Sequence, residues 1–148
     1  MILRRAAAGL ASVAVALLVT AEFTTVFQVT VGSLEVVRRS ATGGANHGYA
    51  LLVIAAVGAA MTLLALRGAG APALALVVLG GAALAIALAV DLPDTRRSGD
   101  LPESLAYENA RARAGTALGL EIAGGLLLLA AGIVLALAGR PATRSTPP

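Results

Sequence analysis

The chain of 148 residues contains no cysteine and no tryptophan, and every one of its basic side chains is arginine. Without cysteine there are no disulfides, no thiolate metal sites and no thiol nucleophile. Aromatic residues make up 3% of the chain, which leaves few platforms for stacking nucleobases. Charged residues make up 13%, where a soluble domain carries about a quarter. What the chain has in abundance is apolar surface: 58% hydrophobic residues and a mean hydropathy of +0.88. That balance excludes an ordinary water-soluble globule.

The net charge is +3, yet its placement argues against nucleic acid. The arginines stand singly or in pairs beside apolar runs, at Arg4-Arg5, Arg38-Arg39, Arg67, Arg96-Arg97, Arg111, Arg113, Arg140 and Arg144. A nucleic-acid footprint gathers them on one face. No nucleic-acid partner is expected; the expected partner is the lipid bilayer.

Four apolar runs organise the chain. They predict helices over about 6–26, 49–66, 72–90 and 105–138, each long enough or nearly so to cross a bilayer. A segment in lipid must satisfy its own backbone hydrogen bonds, which makes helix the expected state. The first run also resembles a signal peptide, with Arg4-Arg5 before it and a small-residue site at Val19-Thr20-Ala21. Its apolar character continues through Phe23, Val26 and Phe27, so retention is the expectation. Only Arg67 to Ala71 links the second and third runs, which forces an antiparallel pair. The loops 27–48 and 91–113 are longer and carry most of the acids. Arginines at the ends of the short segments place both termini in the cytoplasm and both long loops outside. Residues 140–148 are polar and proline-rich, and read as a disordered cytoplasmic tail.

The outer loops have their own patterns. Phe27, Val29 and Val31 alternate with Gln28 and Thr30; Gly32-Ser33 and then Leu34 to Arg38 follow. This reads as a small β-hairpin. The second loop repeats an acid-Leu-Pro-acid motif at Asp91–Asp94 and Asp100–Glu103. It lacks the ligand spacing of a calcium loop and reads as a solvated acidic segment neutralised by Arg96 and Arg97. Pro102-Glu103 is read as opening the fourth helix, which would then run through Tyr107.

Two acids interrupt the apolar runs, Glu22 and Glu121. A carboxylate at membrane depth costs roughly 2.5–3.5 kcal/mol on insertion scales, and usually faces the bundle interior. In the expected topology Glu121 lies roughly 10 Å below the outer end of its helix, at 1.5 Å per residue. His47, Asp91, Arg111 and Arg113 sit at helix ends in the same leaflet. These six residues form a candidate outer-leaflet polar cluster. Its expected role is a charge-paired latch, with Glu22 or Glu121 neutralised by Arg111, Arg113 or His47; the alternative is a cation or proton site. His47 is the single histidine, and a lone imidazole without a second imidazole or thiolate is a poor metal site. No metal or other cofactor is therefore expected. No Gly-x-Ser-x-Gly elbow is present to support a serine nucleophile, and the chain is not expected to be an enzyme. Gly115, Gly119 and Ala123 form a small-residue stripe, a candidate helix-packing face.

Four fragments carry a likeness: Ala21-Glu22-Phe23-Thr24, His47-Gly48-Tyr49-Ala50 within Gly44–Leu52, Asp91-Leu92-Pro93-Asp94, and Tyr107–Glu121. Together they resemble small four-helix integral membrane proteins of actinobacteria that lack an assigned activity. That resemblance implies no catalytic residues. The layout, with strands in the first outer loop, is also similar to that of claudin-like proteins, without their loop cysteines and tryptophan motif.

The fold expected is thus an all-α membrane protein, an antiparallel four-helix transmembrane bundle with a small extracytoplasmic β-hairpin. It fits a multi-pass protein of the plasma membrane, the bacterial inner membrane. The expected function is a non-catalytic scaffold or accessory subunit whose outer cap meets a membrane-protein partner or a second copy of itself. A small transporter or channel using the outer carboxylates is the alternative.

Overall fold

The computed structural model describes residues 2–31, 36–67, 70–96 and 111–139. The molecule is mostly helical, with one small three-stranded sheet. Helix α1 spans Ile2–Phe23, followed by strands β1 (Thr25–Val31) and β2 (Val36–Thr42). A short helix α2 (Gly43–His47) precedes α3 (Ala50–Leu66) and α4 (Gly70–Ile86). A π-helical turn (Ala87–Asp91) leads into α5 (Leu92–Thr95), then strand β3 (Arg111–Ala114) and α6 (Thr116–Ala138).

Among the described residues, three helical segments are long and apolar enough to cross a membrane: Ile2–Phe23, Gly70–Thr95 and Thr116–Ala138. Helix α3, at 17 residues, is equally apolar but shorter. Packing follows a ring: α1 lies against α3 and α6, and α4 lies against α3 and α6. The buried faces are built from small residues, including Ala7, Ala11, Ala14, Ala55, Ala83 and Ala131, with Leu18, Leu51, Leu76 and Leu128 between them. The larger side chains Val53, Leu63, Leu74, Val78, Leu126 and Leu137 point outward and are exposed. Small residues inside and branched aliphatics outside suit lipid, where helices associate by close packing rather than by escape from water.

Glycines set the closest approaches. A Cβ on Gly80 of α4 would meet the Leu129 nitrogen at 2.5 Å and the Gly125 oxygen at 2.8 Å. One on Gly132 would meet the Val77 nitrogen at 2.7 Å, and one on Gly124 would meet Leu18 at 2.9 Å. The stripe read from the sequence is placed differently. Gly119 is exposed, a Cβ there would have nothing within 4 Å, and Ala123 is only partly buried. Gly115 is the joint between β3 and α6, where a Cβ would overlap the Thr25 carbonyl.

Several boundaries differ from the sequence reading. The first helix ends at Phe23 rather than near 26, because Thr25 enters the sheet and the Thr24 hydroxyl donates back to the Ala21 carbonyl. The hairpin expected at 27–38 is one part of a larger sheet, in the order β2-β1-β3 with both pairs antiparallel. Its third strand comes from residues expected inside the fourth helix. Arg111 to Ala114 pair with Thr30 to Phe27, and the Gly115 N–H donates to the Val26 carbonyl at 2.6 Å. The fourth helix therefore begins at Thr116, not near 105. The β1–β2 register shifts between Thr25 and Phe27 and again between Val29 and Thr30; such bulges sharpen the twist of a short ribbon.

The third helix does not stop at Val90. It continues to Thr95 through the π-turn, in which the Leu92 N–H donates to the Ala87 carbonyl five residues back. Pro93 supplies the reason. It has no N–H for the carbonyl four residues earlier and its ring crowds that position, and one widened turn relieves both. The second acid-Leu-Pro-acid motif, Tyr107 and the tail at 140–148 lie outside the described residues.

Candidate functional site

At the end of the molecule that carries the sheet, four helical segments each contribute an ionisable side chain to one buried cluster: Glu22 from α1, His47 from α2, Asp91 from the π-turn and Glu121 from α6. All three carboxylate residues are completely buried. The His47 side chain is 6% exposed.

The backbone explains how they meet. Thr42 caps α2, its hydroxyl accepting from the Ala45 N–H at 3.4 Å. Gly43 and Gly44 let α2 lie directly on the end of α1. A Cβ on Gly43 would meet the Ala21 oxygen at 2.9 Å, and one on Gly44 would overlap the Tyr49 ring and reach Glu22 Oε2 at 3.0 Å. Gly48 (φ 64°) and Tyr49 (φ 60°) then both take the left-handed conformation and turn the chain into α3. That conformation is routine for glycine and costly for tyrosine. The π-turn inserts one residue into a helical turn and so re-aims Asp91 inward. Such turns recur at functional sites.

Each acid has a defined environment. Glu22 Oε1 accepts from the N–H groups of Leu51 at 2.6 Å and Leu52 at 3.1 Å in the first turn of α3, where helical donors need partners outside the helix; Leu52 also donates to the Tyr49 carbonyl. A carboxylate there also meets the positive end of the helix dipole. Asp91 Oδ1 accepts from the Asn46 amide at 2.6 Å, and the same amide reaches Asp94 Oδ2 at 3.5 Å. Glu121 is different. Both of its oxygens are buried, with no hydrogen-bond partner among the described residues.

His47 stands at the centre. Its Nδ1 lies 3.7 Å from Glu22 Oε1; its Nε2 lies 3.6 Å from Asp91 Oδ2 and 3.7 Å from Glu121 Oε1. These are ion-pair separations, too long for hydrogen bonds. Accordingly both imidazole nitrogens, Asp91 Oδ2 and Glu22 Oε2 also lack hydrogen-bond partners among the described residues. The neighbouring Glu121 carboxylate, reinforced by the charges of Asp91 and Glu22, raises the His47 pKa above its ordinary 6.5, against burial, which lowers it. His47, Asp91 and Glu121 can each offer one donor atom, an imidazole nitrogen or a carboxylate oxygen, and these atoms lie within 4.8 Å of one another, close enough to share a metal ion.

Of the six residues read from the sequence as a polar cluster, the structure brings Glu22, His47, Asp91 and Glu121 together. Arg111 and Arg113 are placed on β3, in register with Thr30 and Gln28, and Arg113 is exposed. Among the described residues, the basic group facing the buried carboxylates is the His47 imidazole. Asp91, read as part of a solvated loop, is instead fully buried inside a helix. Asn46 was not singled out by the sequence reading. Its one signal there is its place beside the only histidine. No protein-family model, no curated protein and no solved structure matches this chain.

Proposed function

We propose that this chain is a multi-pass scaffold or accessory subunit of the plasma membrane, without catalytic activity. Its outer cap meets a membrane-protein partner or a second copy of itself. In this reading α3 crosses the membrane as the fourth helix of an antiparallel bundle, and both termini lie in the cytoplasm. The cap comprises the sheet and α2.

The observation that carries this reading is the one-sided distribution of polar groups. The buried titratable side chains gather beneath the sheet, where His47 approaches carboxylates from three other segments. Towards the opposite end the helices are apolar, and the hydroxyls of Ser12 and Thr62 donate to carbonyls of their own helices. That pattern favours a closed latch holding the cap on the helices, because a transport path needs polar groups through the whole thickness. At the far end Arg4 donates to the Ala138 carbonyl at 3.2 Å, which supports placing the start of α1 and the end of α6 on one side. The sheet adds a place to dock. Among the described residues β2 and β3 each pair with β1 alone, and an unpaired edge can accept a further strand.

The test is site-specific photo-crosslinking in intact cells, with the crosslinker placed at Ser40 on β2 and, as comparison, at Val78 on the lipid-facing side of α4. A discrete protein adduct from Ser40, absent from Val78, is the expected result. Lipid or no adduct from both positions would overturn the scaffold reading.

A further inference from the structure

We propose that His47, Asp91 and Glu121 form a binding site for one divalent transition-metal ion, with Glu22 and Asn46 orienting two of the three ligands. This goes beyond the scaffold reading and stands or falls separately from it.

The first argument is the state of the donor atoms. His47 Nε2, Asp91 Oδ2 and both oxygens of Glu121 are buried and without hydrogen-bond partners among the described residues, and Nε2 faces Asp91 Oδ2 and Glu121 Oε1. Buried polar atoms are almost always paired, and each exception needs a reason. Repulsion between two buried carboxylates makes the arrangement costlier still. A dication placed among the three donors would satisfy them together, and its charge would equal that of the two carboxylates.

The second argument is distance. A tetrahedral ion with bonds of about 2.0–2.1 Å holds neighbouring ligand atoms roughly 3.3 Å apart. Here Nε2 lies 3.6 Å from Asp91 Oδ2 and 3.7 Å from Glu121 Oε1. A shift of a few tenths of an ångström at each donor closes these two gaps, and the two carboxylate donors lie within 4.8 Å of one another. Water or the second Glu121 oxygen completes the coordination.

The third argument lies behind the ligands. A metal-binding histidine commonly directs its other ring nitrogen to a carboxylate, which fixes the tautomer. Here His47 Nδ1 faces Glu22 Oε1 at 3.7 Å, an electrostatic contact rather than a hydrogen bond, and Glu22 is itself held by two backbone N–H groups of α3. Asp91 is oriented in the same way: Asn46 occupies Oδ1 and leaves Oδ2 directed at the site.

Donor chemistry selects the ion class. One imidazole nitrogen with two carboxylates suits zinc and its first-row neighbours. Calcium prefers six to eight oxygen ligands, and magnesium gives up its hydration shell reluctantly. The ion would join α2, the π-turn and α6 at one point.

The experiment uses the full chain, purified in mild detergent without a histidine tag and stripped with a chelator. Zinc chloride is the probe, with calcium and magnesium chlorides in parallel. The expected result is one zinc per chain at micromolar free metal, with a rise in unfolding temperature that calcium and magnesium do not reproduce. Glu121→Gln and Asp91→Asn should each abolish this uptake, and Glu22→Gln should weaken it about 10–100-fold, as loss of an orienting partner does. Circular dichroism checks that each variant is helical. Should the variants fail to fold, X-ray absorption on the zinc-loaded wild-type chain decides: one imidazole in the coordination shell supports the site, and an all-oxygen shell overturns it. A folded wild-type chain that takes up no zinc, or variants that keep full stoichiometric uptake, would overturn it as well.

Discussion

At the scale of single residues, the positions that matter most are those where a methyl group has no room. Gly80 and Gly81 are neighbours in sequence and opposites in structure. Gly80→Ala would drive a Cβ to within 2.5 Å of the Leu129 nitrogen, a backbone atom that cannot turn aside. The expected cost is about 1–3 kcal/mol, the usual range for overpacking. Gly81→Ala meets nothing within 4 Å and should stabilise by about 0.5–1 kcal/mol through helix propensity. Unfolding of both variants in detergent, followed by circular dichroism, measures the difference. Gly119→Ala should behave like Gly81→Ala, since it too faces open space. A G-x-x-x-G spacing is visible in the sequence, but which face of the helix it occupies depends on where the neighbouring helices lie. Glu22 and Glu121 could be singled out because a carboxylate in an apolar run is conspicuous. Asn46 could not be, since its role depends on an aspartate 45 residues away.

At the scale of elements, the long apolar runs were legible because lipid leaves the backbone one economical choice, and their central portions are helical in the structure. The junctions were not. Arg111 to Ala114 alternates like a strand, but four residues next to a long apolar helix read as its first turn. Only pairing with β1 separates the two. The π-turn is equally hidden, because its cause is the mismatch between Pro93 and the regular ladder, and its consequence is the direction in which Asp91 points. Pro93→Ala tests this. It restores the missing N–H, so the ladder can close regularly, and without the widened turn the same number of residues carries α5 roughly 100° further about the axis relative to α4, so Asp91 can no longer face Asn46. Helix α2 would lose that tether, and its amides should exchange hydrogen markedly faster, while those in the middle of α6 remain protected. Unchanged exchange in α2 would mean that the π-turn does not position Asp91. In the next turn, Gly48→Ala places a side chain at φ 64° and should cost about 1–2 kcal/mol, measured as a lower unfolding temperature.

At the scale of the whole molecule, the absence of cysteine makes any introduced thiol a unique label. In the topology proposed, Ser40→Cys on β2 should react with a membrane-impermeant maleimide added to intact cells. Arg67→Cys, at the end of α3, should react only after permeabilisation. The reverse pattern would place the cap in the cytoplasm and remove the basis for an extracytoplasmic docking surface. The ends of the chain's apolar runs were enough to suggest this arrangement, and the grouping of polar residues at one end followed from it. The composition of the core was less legible. Alanine and leucine occur throughout the apolar segments, so their order along the chain did not reveal which side would be turned to lipid.

The two joints between sheet and helices have a mechanical consequence. Thr24 alone separates α1 from β1, and Gly115 alone separates β3 from α6; these strands are hydrogen-bonded to each other, and the helices they extend form the most extensive helix pair in the molecule. There is no slack at either joint to absorb a displacement. A partner that tugged on the ribbon would therefore move two rods at once, like a handle fixed rigidly to its blades, and any signal the ribbon receives would travel inward as a tilt.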